Sequence, residues 1–233
     1  MSFASLVKKF LVKELLVEKR TFLFISSLFF YNIVLISLIQ IALGTAMLSP
    51  LQHKKLAPLF IWLIYLLSTI MSFQNIFTAE TEQDAVKALL ARRFSLRALY
   101  TAKFLFIFFL STFSFYFLVL LYTIFTKITP FSFINLALCS LLISAGSTAL
   151  GILLVAVSYT LRASAVILPL LWLALGAPFY TVSLELLYLA YLPSSSGFSY
   201  WLFFEILFVL MYLVLGVILS PYVIEGLAVN NEK

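Results

Sequence analysis

Apolar residues fill the chain in six long runs separated by shorter polar segments: Thr21–Gly44, Ala57–Phe77, Phe104–Thr126, Phe131–Tyr159, Ala163–Leu189 and Tyr200–Leu219. A helix rises about 1.5 Å per residue, so roughly 20 residues cross a hydrocarbon core of about 30 Å. Every run reaches that length, whereas spanning strands are far shorter. Backbone polar groups in lipid find partners only within their own segment, so the runs predict six transmembrane helices. The fourth and fifth runs exceed the length needed. Gly146 and Gly151 in one, and Pro169, Gly176 and Pro178 in the other, are candidate bends.

Three segments outside the runs carry a pattern of their own. In Phe3–Arg20, at 100° per residue, Phe3, Leu6, Val7, Phe10, Leu11 and Val17 share one side, and Lys8, Lys9, Lys13, Lys19 and Arg20 another. This predicts a basic amphipathic helix on the membrane surface. Glu14 and Glu18 fall toward its apolar side. A helix packed against neighbouring spans would give these acids basic partners; a simple topogenic anchor would not. In Thr78–Lys103, Thr81 and Asp84 form a short capping-box analogue. Glu82 and Asp84 occupy a first helical turn and Arg92 and Arg93 a last one, matching the helix dipole at both ends. Val86, Leu89 and Leu90 make an apolar stripe between them. The helix is suited to a groove on a soluble protein, or to lipid. The stretch from Pro178 to Tyr200 stays apolar around Pro193, three serines and Gly197. It reads as short helices dipping back into the membrane, or as a long fifth span followed by a turn.

Composition narrows the class. Of 233 residues, 64% are hydrophobic and 10% charged, against roughly 45–50% and about 25% in soluble domains. Disorder, a disulfide scaffold, collagen and a nucleic-acid-binding domain are excluded. The expected fold is an all-α integral membrane domain with an interfacial helix over 1–20, six spans over 21–225 and a short tail over 226–233. The first run is too long for a cleaved signal, and no soluble domain is expected at either end.

Charge sets the orientation. Lys8, Lys9, Lys13, Lys19, Arg20, Lys87, Arg92, Arg93, Arg97, Lys103, Arg162 and Lys233 fall on one side, and Lys54, Lys55 and Lys127 on the other. Twelve of fifteen on one side place both termini in the cytoplasm. Ionisable residues within spans are costly. Glu185 and Glu205, near the serine turn, would line an outward vestibule or reach the interface; Glu225 follows the last span. Single residues Cys139 and His53 supply neither a disulfide nor a metal cluster. No Ser/His/Asp set, HExxH or phosphate-binding Gly loop is present, so no catalytic, cofactor or metal residues are assigned. If ATP is used, another chain hydrolyses it.

The order of elements resembles ABC-2-type export permeases, and within them the CcmB family, the haem exporter B subunit of cytochrome c maturation. The resemblance covers nearly the whole chain. It is carried by Phe77–Leu90 (FTAETEQDAVKALL), Tyr100–Lys103 (YTAK), Arg162, Leu168–Leu170 (LPL), Pro178 and Ser220–Pro221. It implies a non-enzymatic permease subunit in a bacterial inner membrane. Its partners would be a CcmA-like cytoplasmic ATPase subunit, a CcmC-like haem-handling membrane protein and the lipid bilayer, with no nucleic acid. Haem would be a substrate of the complex rather than a bound cofactor, and ATP would act only through the partner. The expected ATPase contact is Glu80, Glu82, Asp84, Val86, Leu89 and Leu90. An ABC-2 permease for a drug or polysaccharide, and a membrane assembly factor without transport, are the alternatives.

Overall fold

The computed structural model describes residues 3–44, 50–74, 76, 96–160, 164–192 and 197–230. Among these, every regular element is a helix: α1 (Phe3–Thr21), α2 (Leu23–Gly44), α3 (Pro50–Phe73), α4 (Leu96–Thr126), α5 (Phe133–Thr160), α6 (Ser164–Tyr191) and α7 (Phe198–Asn230). Helices α2 to α7 each contain a stretch long and apolar enough to cross a membrane. The protein is therefore an all-α integral membrane domain, with the amphipathic α1 ahead of six spans. Helix α4 starts eight residues before its apolar run, at Leu96. Its early turns offer Leu96, Ala98, Leu99 and Ala102, an apolar face that α1 covers through Phe10.

Helix α5 is the hub. It packs against α3, α4, α6 and α7, and 78% of its spanning window is buried, against 22% for α2 and for α7. Lipid tails are as apolar as leucine, so spans associate through close packing and hydrogen bonds rather than through the hydrophobic effect. Small residues on α5 allow that approach. The ring of Phe179 lies where a side chain on Gly146 would go, and the rings of Phe73 and Trp172 occupy the same place over Gly151. These glycines, expected as bends, are sockets for aromatic side chains in one uninterrupted helix.

Interhelical hydrogen bonds complete the interior. The Tyr65 hydroxyl on α3 lies 2.5 Å from the Ser111 hydroxyl on α4 and donates to Ser144 on α5 at 3.3 Å. Asn32 on α2 donates to Ser114 at 2.6 Å, and Ser140 to Tyr116 at 2.8 Å. Phe30, Ile41, Phe109, Phe113, Ile134 and Phe203 are among the large apolar side chains left on the outside, where a lipid solvent receives them.

The segment after Pro178 continues α6 to Tyr191, and α7 opens at Phe198. Helix α6 is therefore one long fifth span up to Tyr191, and residues 193–196 of the connection lie outside the described residues. Proline removes one rung of the helical ladder. The rung lost at Pro178 is the one to the Ala174 carbonyl, and the Tyr212 hydroxyl ties the same turn to α7 by donating to the neighbouring Leu175 carbonyl at 2.8 Å. Gly197 takes φ 98°, and its carbonyl accepts from the Tyr200 and Trp201 N–H groups that start α7. At the same end of the bundle, the N–H groups of Phe131 and Ser132 donate to the Ala190 carbonyl and hold the α4–α5 connection against α6.

Lys127 closes α4 in the left-handed region, at φ 59°, with its N–H donating to the Thr123 carbonyl at 2.8 Å. A side chain there opposes the backbone geometry that glycine accepts freely. Lys127→Gly is expected to stabilise the fold by about 1 kcal/mol, read as a higher midpoint of thermal unfolding in detergent. A lower midpoint would show that the lysine contributes more than its strain costs.

Candidate functional site

The polar chemistry concentrates in two places, one at the rim of the bundle beside α1 and one within the spans near the α6–α7 turn. Helix α1 meets the bundle with Phe10, Glu14 and Glu18, which recur at a spacing of four residues and share one face. Phe10 lies on the start of α4. Below it, the Lys103 ammonium donates to Glu14 Oε2 at 3.0 Å and to the Ile76 carbonyl at 3.0 Å. Lys13, near the surface, reaches Glu14 Oε1 at 3.4 Å. Lys103 is only 2% exposed and Glu14 6%, so the ion pair lies in a medium where water screens it little.

One turn further on, Glu18 is 8% exposed, and its Oε1 accepts the Ile25 N–H at 2.7 Å. The first N–H groups of a helix have no partner within it, so Glu18 caps α2 from the preceding helix. The turn between them is made by Phe22 at φ 52°, whose N–H donates to the Glu18 carbonyl. Burial raises the Glu18 carboxyl above the usual carboxylate range. The N–H groups of Ile25 and Phe24 oppose that rise, the Glu14 charge adds to it and the Lys103 charge reduces it.

The expected contact residues Glu80, Glu82, Asp84, Val86, Leu89 and Leu90, with Thr81, Arg92, Arg93 and Arg162, lie outside the described residues. The stems of their loop are described. Helix α3 ends at Phe73, with the Ile76 carbonyl just beyond, and α4 begins at Leu96. Lys103 touches both stems and α1 together. By sequence Lys103 counted as a loop charge setting topology; it is instead a buried group inside α4. The signal for it was the pair of acids on the apolar side of the first helix, which called for a basic partner without naming one.

The two acids near the serine turn fall in different environments. Glu205 is fully buried, and its Oε1 accepts the Ser183 hydroxyl at 2.6 Å. Its Oε2 has no hydrogen-bond partner among the described residues. Seven residues of helix separate it from the start of α7, a depth of about 10 Å. Glu185 follows Ser183 by two residues, about 200° further around the helix, on the exposed side of α6. The structure thus brings Glu205 together with Ser183 and turns Glu185 outward. Sequence reasoning had not paired Ser183 with either acid, because a serine in a span carries no distinctive signal. His53 lies on the first turns of α3. No group of three metal-ligating side chains occurs among the described residues.

Six long apolar helices, with an amphipathic helix joined to their rim by a buried ion pair, define a polytopic membrane domain. Compared with models of known families, residues 5–229 match CcmB protein. The chain belongs to the CcmB family, the ABC-2-type permease subunits connected with haem export in c-type cytochrome biogenesis. No curated protein matches it.

Proposed function

We propose that the chain is the permease subunit of an ABC complex that serves delivery of haem for c-type cytochrome maturation, with ATP hydrolysed by a CcmA-like cytoplasmic subunit and haem handled with a CcmC-like membrane protein. The observation that carries this reading is the family match over residues 5–229. In a bacterial inner membrane, which the family resemblance implies, the bias of Lys and Arg favours an orientation with both termini, α1 and the 77–95 segment in the cytoplasm. ATP-driven closure of the ATPase pair pushes on the helix predicted within that segment and shifts α3 and α4 against the rest. Deleting the chain from its host, then restoring it with an affinity tag, tests the proposal. Haem-stained c-type cytochromes are expected to vanish and return, and an ATPase to co-purify. Normal cytochrome yield in the deletion strain would overturn it.

Within this reading, Glu185, on the exposed side of α6, is the one of the two acids placed to line an outward vestibule or reach the interface, while Glu205 is held by Ser183 inside the subunit. Glu185→Gln is expected to lower cytochrome yield at unchanged protein level, and Glu205→Gln, whose amide oxygen still accepts from Ser183, to match the parent. Haem staining beside an immunoblot reads both. Parental yield in Glu185→Gln would remove that side chain from the path.

A further inference from the structure

We propose that Lys103 is a positioning residue for transport, joining α1 to both stems of the 77–95 segment so that movement delivered to that segment passes into α1 and on to α2. The proposal rests on the ABC reading above, because it needs a force applied at the segment.

Three elements meet at one nitrogen. Lys103 stands on α4, 89 residues from Glu14 on α1 and 27 from Ile76 beyond the end of α3, and its ammonium contacts both at 3.0 Å. Neither stem of the segment can shift far relative to α1 without breaking a bond to that ammonium. Water is not at hand to replace the lost partner, since lysine and glutamate are both buried. The connection then continues along α1. Glu18, one turn after Glu14, holds the Ile25 N–H at the start of α2. Helix α2 is the recipient because Glu18 holds its first turn, and it lies at the edge of the bundle, with only 22% of its spanning window buried. The route therefore runs from the segment to Lys103, Glu14, Glu18 and Ile25, through one turn of helix, about 5 Å.

Stability alone gives a weak reason for such a pair. Buried ion pairs are often replaced by apolar side chains of similar volume with no loss of stability. A joint needs more than bulk: a directed bond from Lys103 to both the carboxylate and the Ile76 carbonyl, which apolar side chains cannot make. The two roles separate in the double variant Glu14→Leu with Lys103→Met, which removes both charges together and leaves neither uncompensated.

The full complex is purified from membranes carrying the parent or the double variant. Amount in the membrane, ATP hydrolysis by the co-purified ATPase, and haem-stained c-type cytochrome yield are measured for each. The double variant is expected to keep amount and hydrolysis within about twofold of the parent, while cytochrome yield per ATP hydrolysed falls about tenfold. Yield that follows amount and hydrolysis would overturn the joint and leave the pair a structural contact. Loss of hydrolysis together with yield would also overturn it, because the defect would then precede the transmission step. The parent complex tests the ABC reading separately, through co-purification of the ATPase and through its own cytochrome yield.

Discussion

Replacing Val86 and Leu89 together with Asp is expected to abolish co-purification of the ATPase subunit while leaving the chain in the membrane. Both positions lie outside the described residues, and the expectation stands on their spacing with Leu90, which predicts one apolar stripe if the segment is helical. Full burial of each side chain stabilises a contact by roughly 1.5–3 kcal/mol. A buried carboxylate without a partner adds several kcal/mol of penalty at each position. Together the two sites exceed the roughly 8 kcal/mol of a micromolar contact. The substitutions leave all six spans untouched, so membrane insertion is expected to persist. The measurement is an affinity pull-down of the tagged permease, with its membrane level read by immunoblot. Undiminished ATPase in the pull-down would assign this stripe to the lipid surface.

Glu14→Gln and Glu18→Gln, the same chemical change one helical turn apart, are expected to act in different directions. Glu14→Gln removes the counter-charge facing Lys103 at 3.0 Å. Breaking a buried pair by neutralising one member costs about 3–5 kcal/mol, which detergent-phase thermal unfolding reads as a large fall in midpoint. Glu18→Gln keeps an oxygen for the Ile25 N–H and removes the cost of burying a charge, so its midpoint is expected to equal or exceed that of the parent. The pH dependence follows. Because the folded state raises the Glu18 carboxyl, chiefly by burial, it favours the protonated form. That contribution is fully present below the ordinary carboxylate range and is lost as pH rises through the raised value. A titration of the unfolding midpoint is expected to show this loss in the parent and a flatter profile in Glu18→Gln. Equal destabilisation by both substitutions would mean that Glu18 acts as a second counter-ion rather than as a helix cap.

Most of the fold was legible because the bilayer imposes a length and a polarity that the runs display directly. The limits appear where a helix edge depends on another helix. The run beginning at Phe104 hid the first two turns of α4, since Leu96, Ala98, Leu99 and Ala102 are interspersed with Arg97, Thr101 and Lys103, which disguise an apolar face. Pro178 resembled a break because a proline's missing N–H is visible in sequence, while the Tyr212 hydroxyl that ties the turn before it to another helix comes from 37 residues beyond its acceptor Leu175. The same limit governs the candidate site. Glu14 and Glu18 were recognisable as acids out of place, which is local information. Their partners Lys103 and Ile25 were not, since only the folded arrangement brings α4 beside α1 and turns α2 back over Glu18. The chain's apparent departures from amphipathic regularity thus marked the rim contact more clearly than its regular positions did.

The separation of Glu14 from Lys103 also orders the birth of the molecule. Glu14 leaves the ribosome 89 residues before its partner, an interval of roughly 4 to 18 seconds at about 5–20 residues per second. During that time the acidic face of α1 has no ammonium from α4 to receive it, and two spans enter the membrane before the third brings one. A nascent chain that stalls after its second span therefore carries Glu14 without the Lys103 ammonium, while Glu18 already has the Ile25 N–H of the first span.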